Sequence, residues 1–297
     1  MNDWDLRMFE TVARTGGIGR AAVELNTVQS NVTNRIHNLE GELDAVLFER
    51  HSRGVTLTAA GQRLRPYAVQ ILNLLDQAQR AAVDNGVPNG PLSLGSLETT
   101  AALRMPSVLA AFVQNFPGVD LRLSTGTTSS LIESVLNHEL DGAFVSGPVV
   151  HPKLVAEAVF SEELVLVTST SVPGIDQLCV TNEVRILVFR RGCSYRQQLE
   201  TLLSRRGIVG LRTLEFGSLD AILGCVSAGV GLSLLPLALV KPLADSKSIR
   251  IHHLPRFESE VETVFVRRTD SHCSSGLTEF LRLSKTMAVN EASALAG

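Results

Sequence analysis

Residues 26 to 40 read NTVQSNVTNRIHNLE, and within them Gln29, Ser30, Asn31, Thr33, Asn34, Arg35 and Asn38 make a dense set of hydrogen-bonding side chains. An Asn or Gln amide carries a donor and an acceptor side by side, so it can meet both groups on the major-groove edge of adenine. Arg suits guanine in the same way, and the Thr methyl suits the methyl of thymine. The chemistry on offer is base-edge recognition rather than bond making. The same segment places Val28, Val32, Ile36, Leu39 and Leu43 at steps of 4, 4, 3 and 4, the stripe of an amphipathic helix. Asn is a poor helix former, and a face that needed only to be wet would draw on Glu and Lys instead.

The flanking sequence supplies the elements that must hold this face. Leu6, Phe9, Val12 and Ala13 repeat at helical spacing up to Gly16-Gly17, and a second short helix fits Gly19 to Leu25 with Ala21, Ala22 and Leu25 inward. After a turn at Asn26-Thr27 comes the third helix, with Thr27 or Ser30 expected to cap it. Two short helices joined by a tight turn describe a helix-turn-helix, whose second member lies in the major groove. In LFERHSRGVTLTAAG, residues 47 to 61, a basic tip before Gly54 reads as a two-stranded wing, with Arg50 and Arg53 suited to phosphate. A merely solvated hairpin fits the same residues.

Residues 1 to 65 hold eight Arg and no Lys against eight acidic residues. Non-specific DNA affinity grows with the phosphates neutralised, so one such head binds weakly and two or more are needed. Leu64, Ala68, Ile71, Leu75, Ala78 and Ala82 step by 4, 3, 4, 3 and 4 along a helix running from Thr58 to about Val83. That is a coiled-coil seam able to pair two heads, although packing on its own domain would use the same stripe. Asp84 to Pro91 then reads as a hinge.

The chain has 297 residues, 44% of them apolar, and a net charge of -3. Two or three globular units are expected, without general attraction to polyanions. No uncharged apolar run approaches the roughly 20 residues of a bilayer span, and the first residues lack a signal-peptide pattern, so a cytoplasmic, membrane-free setting is expected. Cys179, Cys193, Cys225 and Cys273 show no C-x-x-C pair, which argues against a zinc ribbon or a disulfide scaffold. No cofactor or metal site is read.

Beyond the hinge, strands are expected at Leu92 to Leu97, Val119 to Ser124, Gly142 to Val145, Leu164 to Thr168, Arg185 to Phe189, Arg212 to Phe216 and near Val261 to Val266, with a buried run from Leu232 to Leu235. Helices are expected at Ala101 to Phe116, Ser129 to Leu140, Tyr195 to Arg206, Leu219 to Ala228 and Ser275 to Val289. The alternation implies parallel β-α-β units, which bind ligands beyond the carboxyl ends of their strands.

Leu6, Phe9 and Ala13, Ala21-Ala22, Leu25, Gln29, Leu39-Glu40, Leu47 to Arg50, Leu57-Thr58 and Gly61, followed by HELDGAFVSGP (138 to 148) and SAGVGLSLLP (227 to 236), together resemble the LysR-type transcriptional regulators. The likeness covers essentially the whole chain. One departure is Val28-Gln29-Ser30, where many members read Ser-Gln-Pro, so the helix lacks the preset φ of a first-turn proline. The resemblance implies an α/β protein with an all-α winged helix-turn-helix head (1-58), a dimerising linker helix and hinge (59-90), and a periplasmic-binding-protein-like regulatory domain (91-297) of two α/β subdomains. Their approximate bounds are 91-161 with 267-297, and 162-266. It further implies a dimer of dimers on an interrupted inverted repeat in promoter DNA, a small effector between the subdomains, and RNA polymerase as a further candidate partner.

Thr99, Thr100, Thr127 and Thr128 follow the first two regulatory strands and precede helices, where hydroxyls and free amides suit a carboxylate, so the effector is expected to be anionic. They are equally good N-caps, and the resemblance is what places an effector cleft here. In FRRGCSYRQQLE, residues 189 to 200, Ser194 is expected to cap a helix, and Cys193 is expected beside Arg190, Arg191 and Arg196 with a lowered thiol pKa, as an effector contact or a redox trigger. Cys193, Ser194 and Arg196 are therefore expected to line the site, and Ser218 to join them. No hydrolase, Walker, zincin or dinucleotide fingerprint appears, and His252-His253 point to opposite faces of any strand, so an enzyme is not expected. The competing reading is a small-molecule binding protein or enzyme whose N-terminal helices only oligomerise. A nucleoid-packaging protein would need far more positive charge.

Overall fold

The computed structural model describes residues 1–52, 54–174, 184–208 and 210–296, residues 290–296 by backbone alone. It contains two compact units, one built on Met1–Val83 and the other on most of the chain from Asp84 onward.

The first unit comprises α1 (Asp3–Thr15), α2 (Ile18–Glu24), α3 (Gln29–Leu43), a hairpin of β1 (Phe48–His51) and β2 (Gly54–Leu57), and α4 (Ala59–Val83). A reciprocal capping box starts α1: the Asn2 side chain accepts the Asp5 N–H at 3.0 Å and the Asp5 carboxylate accepts the Asn2 N–H at 3.1 Å. Leu6, Phe9 and Val12 of α1, Ala21 and Ala22 of α2, and Val32, Ile36 and Leu39 of α3 share one core with Leu47, Phe48, Ala68 and Leu72. Val28 lies outside this core. It is the residue before α3, is 65% exposed, and makes no side-chain capping bond, so neither Thr27 nor Ser30 caps the helix. Leu43 is exposed as well.

The expected seam of α4 divides. Ala68 and Leu72 are buried in the unit's own core with Leu64 packed against them, whereas Tyr67, Ile71, Leu74 and Leu75 stand exposed.

In the second unit the strands are β3 (Gly90–Leu97), β4 (Val119–Gly126), β5 (Gly142–Ser146), β6 (Leu154–Thr168), β7 (Val184–Phe189), β8 (Leu211–Phe216), β9 (Ser233–Pro236), β10 (Arg250–His252) and β11 (Glu260–Arg268). Around them lie α5 (Glu98–Leu103), α6 (Met105–Asn115), α7 (Thr128–Leu136), α8 (Ser194–Arg205), α9 (Leu219–Ser227), α10 (Leu237–Asp245), α11 (Arg256–Ser259) and α12 (Ser275–Ala296). β3 pairs in parallel with β4 and β5, and β11 joins β5 to the first part of β6. The last residues of β6 pair instead with β9 and β10, while the parallel pair β7-β8 meets the chain just before β9 through Ile186 and Leu232. One long strand therefore belongs to two subdomains.

Three expectations change here. β6 begins at Leu154, because its first part alternates in burial while only its end is continuously buried, the part that reads as a strand by hydrophobicity. The helix expected over 101 to 116 breaks at Arg104: Pro106 opens α6 and cannot continue the hydrogen-bond ladder of α5. The return crossing falls before Glu260 and not after 266, because all of β11 pairs with β5 or the first part of β6.

A Cβ on Gly61 would strike the Leu47 carbonyl oxygen, with the Leu57 Cδ2 a further 2.8 Å neighbour, whereas one on Gly41 meets nothing. Gly61→Ala is expected to destabilise the first unit by about 1–3 kcal/mol through overpacking, and Gly41→Ala to leave it unchanged or firmer. Urea titration followed by fluorescence of Trp4, the single tryptophan, reads both variants.

Candidate DNA-reading surface and effector cleft

Burial of Val32, Ile36 and Leu39 fixes the opposite face of α3, where Ser30, Asn34, His37 and Asn38 are exposed. His37 escaped the sequence reading, although it lies on the same face one turn beyond Asn34 and its position in the stripe was readable. The other residues expected to read bases are partly committed to the protein. Asn31 Nδ2 donates to Thr27 Oγ1 at 2.9 Å and Thr33 is half-buried. Gln29 lies across Gly19 of α2, so close that a Cβ there would be 2.9 Å from its amide nitrogen. Arg35 Nη1 donates to the buried Asp5 carboxylate at 3.0 Å. Arg35 thereby ties α3 to the start of α1.

The wing is held against the end of α1. Val55 N–H donates to the Gly16 carbonyl at 3.1 Å, and Gly54, at φ +138, leaves only 2.6 Å between a Cβ position and that oxygen. Gly is required there by both conformation and space. Among the described arginines of the head, Arg7, Arg14, Arg35 and Arg65 face carboxylates, which leaves Arg20, Arg50 and Arg63 without an acidic partner. Arg50 is exposed on β1; Arg53 lies outside the described residues.

Between the two regulatory subdomains is a cavity of about 170 Å³. Thr99 and Thr127 face it from the first subdomain, and Cys193, Ser194 and Tyr195 from the second, with Phe189 and Phe216 beside them. Thr127 Oγ1 accepts the Ser130 N–H at 3.3 Å and so caps α7, while Thr99 and Tyr195 line the cavity from opposite subdomains. Burial, aided by the negative charge of Glu162, keeps that phenol neutral well beyond its usual range. The turn before α8 rests on α7. Gly192, at φ +92, would place a Cβ 2.8 Å from Thr127 Oγ1, and its carbonyl accepts the Ser129 N–H at 3.4 Å.

Thr128 belongs to a second recess of about 500 Å³, lined also by Ser146, Gln197 and Arg205. Ser194 lines both spaces. Its hydroxyl is buried and makes no hydrogen bond, and the residue before α8 is Cys193, so Ser194 does not cap that helix.

Four further expectations fail here. Thr100 is buried and Ser218 is exposed, and neither lines the cavity. Arg196 turns away to Glu200 and Glu215, each at 2.9 Å, and is absent from the lining, while Arg190 takes a place in it. The thiol of Cys193 shifts up rather than down. Burial raises it and outweighs the lowering effects of the Arg196 and Tyr195 N–H groups and of the Arg196 charge. Cys179 lies outside the described residues, and the other cysteines are free.

His252 Nε2 meets Thr168 Oγ1 at 2.8 Å and His253 meets Glu163 at 3.1 Å; burial and then Arg250 hold the former's pKa down. Among the described residues no cluster could hold a metal ion, and no helix is long and apolar enough to cross a membrane.

A helix-turn-helix head with a wing, joined to two α/β lobes that enclose a small cavity, is the architecture of a transcriptional regulator with a substrate-binding-type domain. Residues 4–62 match the bacterial regulatory helix-turn-helix protein, lysR family, and residues 85–288 match the LysR substrate binding domain. The chain belongs to the LysR family of transcriptional regulators and is not an enzyme. It is 47% identical over 281 residues to the HTH-type transcriptional regulator GltR of Bacillus subtilis (strain 168), covering 95% of each chain. Against YofA of the same organism it is 44% identical over 281 residues, covering 95% of this chain and 97% of the relative. Full-length CbnR in complex with its target DNA has the same fold, with a TM-score of 0.69, 22% identity and coverage of 96% and 99%. So has a full-length OxyR variant from Pseudomonas aeruginosa, with a TM-score of 0.66, 21% identity and coverage of 97% and 95%.

A raised thiol pKa means less thiolate at any given pH. Native Cys193 is therefore expected to alkylate more slowly at pH 8 than in the unfolded chain, with a rate still climbing above the ordinary thiol range. Peptide-resolved mass spectrometry after timed iodoacetamide exposure measures it; a plateau below that range would show an activated thiolate instead.

Proposed function

We propose that this regulator reads promoter DNA through the exposed amide face of α3, with Gln29, Ser30, Asn34, His37 and Asn38 toward base edges and Arg20, Arg50 and Arg63 toward phosphate. The observation that carries the reading is that face itself: Asn34 and Asn38 are exposed and unengaged, on a helix whose other side is anchored in the core. Arg35 and Asn31 act one step back, fixing the helix and its entry turn.

With so few arginines left unneutralised, one head binds weakly, and two heads engaging the halves of an interrupted inverted repeat gain affinity through effective concentration. The exposed stripe Tyr67, Ile71, Leu74 and Leu75 supports pairing through α4, and a dimer of such dimers completes the assembly. A small effector bearing an anionic group binds between the regulatory subdomains, at the hydroxyls of Thr99, Thr127 and Ser194. The regulator works in the cytoplasm, with RNA polymerase as a further partner.

Anisotropy titrations on the DNA upstream of its own gene test the reading. Asn34→Ala is expected to cost about 1–3 kcal/mol on the specific site and little on random duplex. Arg50→Gln is expected to weaken binding to every sequence and to flatten the log–log salt slope by about 1 per head. If both variants bind the fragment as wild type does, or wild type prefers no fragment, the head serves only to oligomerise.

A further inference from the structure

The cavity between the subdomains holds two opposite charges that the chain leaves unmatched. Glu98, half-buried, opens α5 in the first subdomain, and Arg190 follows β7 in the second. Both line the same space, and no ion pair occupies either among the described residues. The neighbouring charged groups are already satisfied within the protein: Arg104 grips Glu162 with both nitrogens at 2.8 and 3.0 Å, and Arg196 is held by two glutamates. The backbone makes room for the arginine. Its guanidinium lies over Gly217, where a Cβ would stand 3.3 Å from Nη2. Beside these charges sits the buried Ser194 hydroxyl with no partner, a polar atom whose desolvation nothing in the chain offsets.

We propose that the ligand of this cavity is a compact zwitterion, an α-amino acid. Its carboxylate meets Arg190 and the Ser194 hydroxyl, and its ammonium meets Glu98. The proposal rests on the reading of the cleft as the effector site and narrows its chemistry. A simple carboxylate leaves Glu98 facing a ligand without a positive charge. A dicarboxylate brings a second negative charge toward Glu98, and an amine alone leaves Arg190 unanswered. Glu98 at the start of α5 is favourably placed for the helix dipole, but that does not account for its sharing a cavity with an uncommitted arginine across the cleft. A cavity of about 170 Å³ excludes bulky members of the class, and Phe189 and Phe216 offer an apolar wall to a short side chain. Because the two charges belong to different subdomains, such a ligand spans the cleft and favours whichever arrangement holds the lobes at this separation.

Calorimetric titration of the full-length chain with the common L-α-amino acids, the matching 2-hydroxy acids, the matching amines and succinate tests the assignment. At least one compact amino acid is expected to bind, with its hydroxy-acid and amine counterparts about tenfold or more weaker, the usual loss of a charge-assisted contact. Glu98→Gln should weaken the amino acid by a similar factor and leave the hydroxy acid unchanged or tighter, while Arg190→Gln weakens both; circular dichroism confirms that each variant is folded. If wild type takes the hydroxy acid or succinate as tightly as the amino acid, the zwitterion assignment is wrong and the anionic effector site stands. Binding that survives both substitutions unchanged lies outside the cleft and overturns both readings, as does an absence of binding by every probe at millimolar concentration.

Discussion

Three buried side chains, Val32, Ile36 and Leu39, decide what this protein can touch with α3. Their packing against Leu6, Phe9 and Val12 holds in helical form a segment whose own preference for helix is poor, because Asn competes for backbone hydrogen bonds. The anchoring also sets rotation: with one stripe fixed inward, Ser30, Asn34, His37 and Asn38 have no direction to point but outward. Asp5 reinforces this, receiving Arg35 from α3 while capping its own helix, so that one buried carboxylate locks the angle between the two elements. The head gives up cations to achieve that rigidity. Among the described residues, four of its arginines face carboxylates, which limits the charge that one head can offer to phosphate.

The regulatory domain applies the opposite economy. β6 runs through both lobes, so the two subdomains share a strand and also face each other across a cleft, where the Gly192 turn rests on α7. Polar groups within the cavity are left only partly satisfied. A structural interface would have paired Ser194, Glu98 and Arg190, and their open state is what the proposed ligand site requires. Cys193 fits the same environment as a small buried side chain, since burial outweighs the positive ends of the N–H groups that point at its sulfur.

The order of elements was legible because hydrophobic period and turn residues are local signals. The helix-turn-helix, the wing and the alternation of β3, β4, β5, β7 and β8 with helices were all readable in that way. What escaped depended on distant partners. Val28 continues the stripe of α3 in sequence yet is exposed, since nothing in the core reaches past the first turn. The seam of α4 reads as one feature, but only the half opposite α1 finds a core to enter. Arg196 was expected in the cleft from its distance to Cys193 along the chain; Glu215, on a neighbouring strand, draws it away. The same blindness hid the cavity that Glu98 and Arg190 both line, since more than ninety positions separate them in the sequence and only the fold brings them to one space.

The proposed geometry puts the wet face of α3 in the major groove, once per head. Methylation interference on a footprinted promoter fragment addresses it directly, because guanine N7 lies in the major groove and adenine N3 in the minor. Blocked binding on N7 methylation within two symmetrically placed half-sites is the predicted result. Interference confined to adenine N3, or none at any position, would contradict it.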